Sequence, residues 1–164
     1  MKIWGIVGWK NSGKTGLMER LVSEFVSRGF SVSTLKHAHH VFDVDQPGKD
    51  SYRHREAGAT EVLLSSRKRF ALMRENRSAP EPELDELLAK LAPVDLVLVE
   101  GYKRDNHPKI ETHRAETRKP LIALEDSTIR AIASDAEVSV EGRPTLGLDD
   151  TATIANFITS ELGL

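Results

Sequence analysis

Eight residues near the start of the chain have the types and spacing needed to hold a phosphate chain. Gly8-Trp-Lys-Asn-Ser-Gly-Lys-Thr15 matches the pattern G-x-x-x-x-G-K-[S/T] at every fixed position. Glycines let such a loop curl so that successive backbone N–H groups point inward, while Lys14 adds a cation and Thr15 offers a hydroxyl to Mg²⁺. The pattern predicts binding of a nucleoside triphosphate with magnesium. The alternative is an ordinary glycine turn. The predicted nucleotide-binding residues are Gly8, Lys10, Asn11, Ser12, Gly13, Lys14, Thr15 and Gly16.

Carboxylates at the ends of two further strands are the candidates for the magnesium shell. The apolar run Asp95-Leu-Val-Leu-Val-Glu100 ends in a glutamate that could bind Mg²⁺ through water, orient an attacking water or accept a hydrogen bond from the loop. Asp43 and Asp45 follow the second predicted strand, and their loop opens on the same carboxyl edge of the sheet. We therefore take Lys14, Asp45 and Glu100 as candidate catalytic groups, and Thr15, Asp45 and Glu100 as candidate metal ligands. The alternative for Glu100 is a solvated residue at a strand end.

Other polar clusters carry weaker signals. His37, His39, His40 and Asp43 could bind a transition metal, but without Cys or helical i, i+4 spacing a polar loop or a substrate contact is favoured. Two basic groups could meet an anionic substrate or partner, and a solvated surface explains them equally well. These groups are Lys49, Arg53 and Arg55 in one case and Lys103, Arg104 and Lys109 in the other.

The periodicity of apolar residues predicts the helices and strands that carry these side chains. Ile3–Val7 is a short apolar run that predicts a strand, and apolar residues then recur at helical spacing up to Arg28. Residues 30–36 favour a second strand. The chain is therefore predicted to begin with a βαβ unit. The run at 95–99 is apolar on both faces, as in a central parallel strand covered on both sides. The further predicted elements are a helix at 50–57, strands at 61–65 and 70–73 joined by a turn, a helix using Leu84 to Leu91, strands near Ile110, at 121–124 and at 129–133, and a last helix capped by Asp149 or Asp150.

These elements predict an α/β fold of the P-loop NTPase type, with three layers, a mainly parallel central sheet and helices on both faces. The length of 164 residues favours one nucleotide-binding domain over residues 1–164. A formal net charge of −2 gives no cationic excess for nucleic acid or a membrane surface. The absence of Cys, of a signal-peptide pattern and of a long apolar stretch favours a cytoplasmic protein.

Several longer segments, taken with the loop, resemble the MobB family from about residue 2 to about residue 135. The glycine-rich motif is shared by many NTPases, whereas the His/Asp/Pro-Gly-Lys-Asp-Ser segment is far more specific. The segments that carry the resemblance are Lys36-His-Ala-His-His-Val-Phe-Asp-Val-Asp-Gln-Pro-Gly-Lys-Asp-Ser51, Arg53-His-Arg-Glu-Ala-Gly-Ala59, Ala71-Leu-Met-Arg-Glu75 and Leu98-Val-Glu-Gly-Tyr-Lys103.

The resemblance implies a GTP-binding accessory protein with weak GTPase activity that assists the attachment of GMP to molybdopterin. It implies Mg²⁺ as cofactor, a homodimer, and two partners, the molybdenum cofactor guanylyltransferase and the molybdenum-insertion protein, with molybdopterin as a further candidate ligand. By the same likeness Gly8, Ser12, Gly13, Lys14 and Thr15 hold phosphates, and Asp45 and Glu100 serve the magnesium region. No N-K-x-D stretch for guanine occurs in the chain, although Asp135 could reach a base edge.

Two other functions stay open on the sequence alone. One is a small-molecule kinase that uses Asp43 or Asp45 as base, with a lid of cations over the phosphates. The candidates for such a lid are Arg67, Lys68, Arg69, Arg74 and Arg77, which more resemble a strand turn. The other is a non-catalytic, nucleotide-sensing adaptor that acts through a partner surface.

Overall fold

The computed structural model describes residues 1–38 and 42–164, in which the chain forms two compact units. The first, here the sheet unit, contains Met1–His37 and Leu84–Leu164; the second, here the hairpin unit, spans Ala38–Glu83. The strands are β1 Lys2–Val7, β2 Val32–Lys36, β3 Glu61–Ser65, β4 Phe70–Arg74, β5 Leu96–Glu100, β6 Lys109–His113, β7 Ile129–Ser134 and β8 Thr145–Gly147. The helices are α1 Lys14–Ser27, α2 Asp50–Glu56, α3 Leu84–Leu88 and α4 Thr151–Leu162, with 3-10 turns at Ala115–Thr117 and Ile122–Leu124.

The sheet unit is built on six strands in the order β2-β5-β1-β6-β7-β8, and every neighbouring pair is parallel. β1 lies between β5 and β6, with Ile6 opposite both Glu100 and Ile110. All five residues of β5 are buried, which explains why the sequence shows no polar face there. Because the strands are parallel, their carboxyl ends meet at one edge of the sheet, and the loop after β1 lies at that edge.

Helices cover both faces of this sheet. Alternate residues of a strand point to opposite sides, and here apolar side chains on both sides are buried by helices. On one face, Trp4, Ile6 and Leu98 pack with residues of α1 and α4. On the other face, Val97 and Val99 pack with Leu84 and Leu88 of α3. The predicted three-layer α/β architecture is confirmed. The described residues contain no helix that combines the length and apolar character needed to span a membrane.

The hairpin unit combines α2 with an antiparallel pair of strands. β3 and β4 pair with Leu63 opposite Leu72, and the amide of Ser66 donates to the carbonyl of Arg69 at 2.9 Å to close the turn. The predicted helix at 50–57 and the predicted strand pair are both present. The single nucleotide-binding domain over residues 1–164 stays a prediction, since two compact units do not show that either folds alone.

Two local predictions differ from the structure, and one strand was not predicted. Residues 121–124 form no strand, because the buried carboxylate of Glu111 accepts the amides of Ile122 and Ala123 at 2.8 Å each and holds a 3-10 turn. Lys109 is fully buried, with its ammonium directed to the Asp105 carbonyl and the Thr128 hydroxyl, so it belongs to no surface patch. β8 was not predicted, because three residues are too few for a periodic signal.

Candidate functional site

The loop Gly8–Thr15, here the glycine loop, connects β1 to α1 in a conformation that depends on its glycines. Gly8, Asn11 and Gly13 have φ values of 151°, 65° and 95°. A Cβ at Gly8 would lie 2.4 Å from the Ser12 hydroxyl and 2.5 Å from the Thr112 carbonyl, so this position accepts no side chain. Gly13 is the N-cap of α1, so the loop ends at the positive end of a 14-residue helix.

Ser12 fixes the loop to the neighbouring strand. Its side chain is buried, and its hydroxyl bonds to the Thr112 hydroxyl at 2.7 Å. Thr112 in turn donates to the carbonyl of Val7 at 3.2 Å, where β1 ends. Thr112 was not identified from the sequence, because nothing in the motif reveals which strand lies beside the loop. The consequence is a loop whose base is held by side-chain bonds as well as by its own backbone.

Lys14 turns back over the loop that precedes it. Its ammonium donates to the carbonyls of Gly8 at 3.0 Å and Trp9 at 2.7 Å. Burial lowers the pKa of Lys14, and the negative charge of Glu100 acts in the opposite direction. The predicted cation is therefore positioned at the glycine loop, with Glu100 as its main attractive charge.

Glu100 lies at the carboxyl end of β5, as its sequence position predicts. Its side chain is almost buried and forms an ion pair with the Lys36 ammonium at 3.2 Å. Gly101, with φ 99°, follows it, and a Cβ there would lie 2.9 Å from Cβ of His37. This close approach brings the ends of β2 and β5 together, with the His37 amide donating to the Glu100 carbonyl at 2.9 Å. A carboxylate oxygen at this edge is a suitable hard ligand for Mg²⁺.

Asp45 belongs to the hairpin unit, where it is bound by an arginine. The guanidinium of Arg55 contacts Asp43, Asp45 and Glu75, a group that we call the arginine cluster. The side-chain hydrogen bond from Arg55 lowers the pKa of Asp45, and the bonds to Asp45 and Glu75 raise the pKa of Arg55. Asp45 is thus an ionised carboxylate whose partner in the structure is a cation of its own unit.

The other clusters noted in the sequence are only partly described. His39 and His40 lie outside the described residues, while the ring of His37 stacks on Tyr102 with centroids 4.7 Å apart. Across residues 1–38 and 42–164, no group of three or more His, Asp or Glu is arranged to hold a metal ion. The cations considered as a kinase lid lie on or beside the hairpin, where Arg74 pairs with Glu61 at 3.8 Å and Arg77 donates to the Ala59 carbonyl.

An open cavity of about 410 Å³ adjoins the glycine loop. Its wall includes Trp9, whose indole N–H donates to the Pro120 carbonyl at 2.7 Å and whose ring lies 4.4 Å from the Lys103 ammonium. The predicted binding residues Lys10 and Asn11 are exposed on this side of the loop. The full lining is Trp9, Lys10, Asn11, Glu116, Thr117 and Lys119.

Together, the parallel sheet, the tight glycine loop at its carboxyl edge and the helix that the loop opens define an α/β protein with a P-loop-like fold. Residues 3–135 match the family described as "MobB: Molybdopterin guanine dinucleotide synthesis protein B". The chain therefore belongs to the MobB family, in agreement with the resemblance carried by its sequence segments.

Relatives and solved structures agree with this assignment. The chain is 40% identical over 161 residues to a molybdopterin-guanine dinucleotide biosynthesis adapter protein of Haemophilus influenzae, covering 96% of this chain and 88% of the relative. It is 35% identical over 153 residues to the protein of the same name from Escherichia coli, covering 92% and 87%. A MobB homologue from Bacillus stearothermophilus is similar in structure, with TM-score 0.75, 30% identity and 99% of each chain covered.

Proposed function

We propose that this chain is a GTP-binding adaptor that assists the attachment of GMP to molybdopterin in molybdopterin guanine dinucleotide biosynthesis. The observation that carries the proposal is the glycine loop, in which a positive-φ backbone, the buried Ser12 and the inward Lys14 meet at the positive end of α1. The similar proteins of Haemophilus influenzae and Escherichia coli are named adapters of this biosynthesis.

In this proposal the glycine loop receives the phosphates of GTP. Backbone amides of the loop and of the first turn of α1 donate to phosphate oxygens, and Gly8 and Gly13 leave room for the close approach. The Lys14 ammonium, which bonds to two loop carbonyls in the structure, exchanges those bonds for phosphate oxygens. The three N–H donors of the ammonium can bond either to the loop carbonyls or to phosphate oxygens, so the exchange needs no refolding of the loop.

Magnesium would be held by oxygen ligands of the sheet unit. The Thr15 hydroxyl at the start of α1 and the Glu100 carboxylate at the end of β5 are hard donors of the kind that Mg²⁺ takes, with the remaining positions filled by water and phosphate. The ion would neutralise phosphate charge. Glu100 would then exchange its ion pair with Lys36 for the metal shell. Asp45 is paired with Arg55 within the hairpin unit, and its role as a magnesium ligand stays a prediction from the sequence.

These ion pairs support an adaptor with weak GTPase activity over a fast catalyst. Glu100 is paired with Lys36, and Asp45 with Arg55, so each candidate group for activating water is held by a cation. This pairing makes Asp45 a weaker general base, because the pKa of its carboxyl group is lowered. For Asp45 that lowering follows from its bond to Arg55.

The proposal of GTP rather than ATP rests on the resemblance to the MobB family, since the chain contains no N-K-x-D motif. Asp135, the candidate for a base edge, accepts the amide of Ala115 at 2.9 Å and pairs with Arg114 at 3.7 Å. The carboxylate of Asp135 is therefore bound to the turn that follows β6. We therefore propose GTP as the nucleotide without assigning Asp135 to the base.

The decisive experiment is titration calorimetry with GTP and with ATP in the presence of Mg²⁺. Wild-type protein should bind GTP more tightly than ATP, and Lys14→Ala should weaken GTP binding by about 100-fold, because a charge-assisted contact is lost. Lys2→Ala is the control, since it removes an exposed lysine at the other end of β1. Equal weak binding of GTP by wild type and Lys14→Ala would refute the proposal.

The proposed partners are a second copy of the chain, the guanylyltransferase, the molybdenum-insertion protein and, as a ligand, molybdopterin. Support for a homodimer comes from one face of the hairpin, where Leu63, Phe70 and Leu72 are 63%, 74% and 54% exposed. An isolated two-stranded sheet with an apolar face is stabilised by a further layer. Light scattering of the wild type should give twice the mass of one chain, and Leu72→Lys should lower the measured mass toward that of a single chain. A wild type with the mass of a single chain would contradict the dimer.

A cytoplasmic location is proposed on composition alone, because a chain without Cys fits a reducing compartment. Fractionation of cells that express the native protein tests it, and recovery with the membrane pellet would contradict it.

A further inference from the structure

We propose that Arg114 binds a phosphate oxygen of the nucleotide in the glycine loop. The proposal rests on the function proposed above and adds a residue that lies outside the G-x-x-x-x-G-K-[S/T] pattern, 100 positions after Lys14 in the chain. No sequence motif marks it, and its position follows from the register of β6 beside β1.

The pleat of β6 directs Arg114 to the glycine loop. Ile110 packs in the core beneath α1, and Thr112 bonds to the buried Ser12 hydroxyl at 2.7 Å. Side chains two positions apart on a strand point to the same face, so the next residue in this series, Arg114, continues toward the same loop. It follows β6 directly and begins the turn Ala115–Thr117.

The contact with Gly13 confirms this direction. Nε of Arg114 lies 3.3 Å from the position that a Cβ at Gly13 would occupy. Gly13 is the N-cap of α1 and immediately precedes Lys14. The guanidinium therefore borders the part of the loop from which the first amides of the helix project, where phosphate oxygens are bound in this class of loop.

Electrostatics favours an anion between these groups. A cation near a helix N-terminus is repelled by the positive end of the helix dipole, and Lys14 adds a second positive charge there. The carboxylate of Asp135, 3.7 Å from Arg114, offsets part of this charge. A phosphate would offset the remainder and would accept the parallel N–H donors of the guanidinium.

Asp135 and the following turn hold Arg114 in place. One oxygen of Asp135 accepts the Ala115 amide at 2.9 Å, and the carbonyl of Arg114 accepts the amide and hydroxyl of Thr117 at 3.0 and 2.8 Å. The side chain of Arg114 is 35% exposed, which leaves it accessible to a ligand from solvent. Asp135 is thus a positioning residue, which accounts for the strand-end carboxylate better than contact with a base does.

Calorimetric titration with two probes, GTP and inorganic tripolyphosphate, tests the assignment at fixed Mg²⁺. Arg114→Gln should weaken binding of both probes by about 10- to 100-fold, because one charge-assisted contact is lost in each case. Arg114→Lys, which keeps the charge but not the planar fork, should fall between wild type and Arg114→Gln. Arg118→Gln removes an equal charge from the same turn and should change affinity less than about threefold.

The outcomes separate this inference from the proposed function. If wild type binds GTP and Lys14→Ala does not, but Arg114→Gln binds like wild type, the inference alone is overturned. If Arg114→Gln weakens GTP binding and leaves tripolyphosphate binding unchanged, Arg114 contacts the nucleoside, and the inference is again overturned. If wild type binds neither probe, both proposals fail. Should Arg114→Gln fail to fold, as judged by circular dichroism, Arg114→Lys decides by the same comparison.

Discussion

Charged groups are held in different ways in the two units of the molecule. In the glycine loop, Lys14 bonds to backbone carbonyls, and Ser12 bonds to a buried strand residue over a continuous apolar core. In the arginine cluster, the guanidinium of Arg55 on α2 bonds to three carboxylates, one after the end of β4 and two in the loop that contains Asp45. The sheet unit thus holds its site by close packing and by hydrogen bonds to neutral groups, whereas the hairpin unit holds its loop by ion pairs.

The comparison predicts opposite sensitivities. A site held by packing should fail when volume is added and should respond little to salt, since its contacts are steric and short-range. A loop held by ion pairs, two of whose carboxylates, Asp43 and Glu75, are partly exposed, should respond to loss of a single charge and to ionic strength. Substitutions in each unit and a change of pH test this contrast.

Gly8→Ala should be the most damaging single substitution. A Cβ at this position would lie 2.4–2.5 Å from three atoms of Ser12 and Thr112, and φ is 151°. We expect a loss of about 3 kcal/mol in unfolding free energy, from overpacking and backbone strain together, with loss of nucleotide binding. Urea denaturation measures it.

Gly48→Ala, in the hairpin unit, is the matched control for that change. Gly48 also has positive φ, at 86°, but its added Cβ would have no neighbour within 4 Å. Only the conformational cost of about 1 kcal/mol should remain. Equal losses in the two variants would show that packing does not distinguish the glycine loop.

Arg55→Met should loosen the hairpin unit. The substitution leaves Asp43, Asp45 and Glu75 without their shared cation, so the remaining negative charges repel one another and destabilise the loop. Faster hydrogen exchange should appear in α2 and β4 and not in β5. Arg53→Met, on the same helix but exposed, serves as the control, and similar exchange in both variants would contradict the role of the cluster.

Mild acid should weaken the sheet unit before it weakens the hairpin unit. Burial, with the charge of Lys109, lowers the pKa of His107 from 6.5 to about 4. Between these values the unfolded chain binds the extra proton, so stability falls as pH drops from 6.5 to 4. Screening at this partly exposed residue limits the loss to about 1 kcal/mol.

Denaturation of wild type and His107→Gln at pH 7 and pH 5 measures this loss, which should be absent in the variant. Asp45 titrates lower still, because its hydrogen bond from Arg55 lowers its pKa below 3.8. Its contribution to stability is complete above that pH and is lost only as pH falls through the lower folded pKa. An equal loss at pH 5 in both proteins would exclude His107 as the cause.

Substitutions on the apolar face of the hairpin should affect chain stability least. Leu63→Thr and Leu72→Thr remove side chains that are already more than half exposed, so the change at low protein concentration should be below about 0.5 kcal/mol. Val62→Thr, which changes a buried side chain of β3, should cost about 1–2 kcal/mol. Similar losses at Val62 and Leu72 would show that both sides of the hairpin are covered within one chain.

The sequence predicted what short-range patterns determine. The glycine loop, the apolar strand that ends at Glu100 and the βαβ start follow from spacing alone, since each depends on neighbours in the chain. The residues that complete the site depend on strand order. Thr112 and Arg114 lie beside the glycine loop because β6 pairs with β1, and no local sequence pattern reveals that pairing.

The wrong predictions have the same origin. Residues 121–124 read as a strand from their apolar composition, but the carboxylate of Glu111, ten or more positions away, binds their amides. Lys109 was predicted to be a surface cation because lysine is seldom buried, yet its ammonium lies beside Asp126 and Thr128. In both cases a long-range polar contact outweighed the local preference.

The positions of the two tryptophans give the protein an internal optical reporter. Trp4 lies in the core with no exposed surface, so its emission should stay constant while the fold is intact. Trp9 belongs to the glycine loop, and its ring faces the Lys103 ammonium at 4.4 Å. An anion that enters the loop changes the electric field at Trp9 and leaves the surroundings of Trp4 as they were. Ligand occupancy can therefore be followed by fluorescence without attaching a dye to the chain.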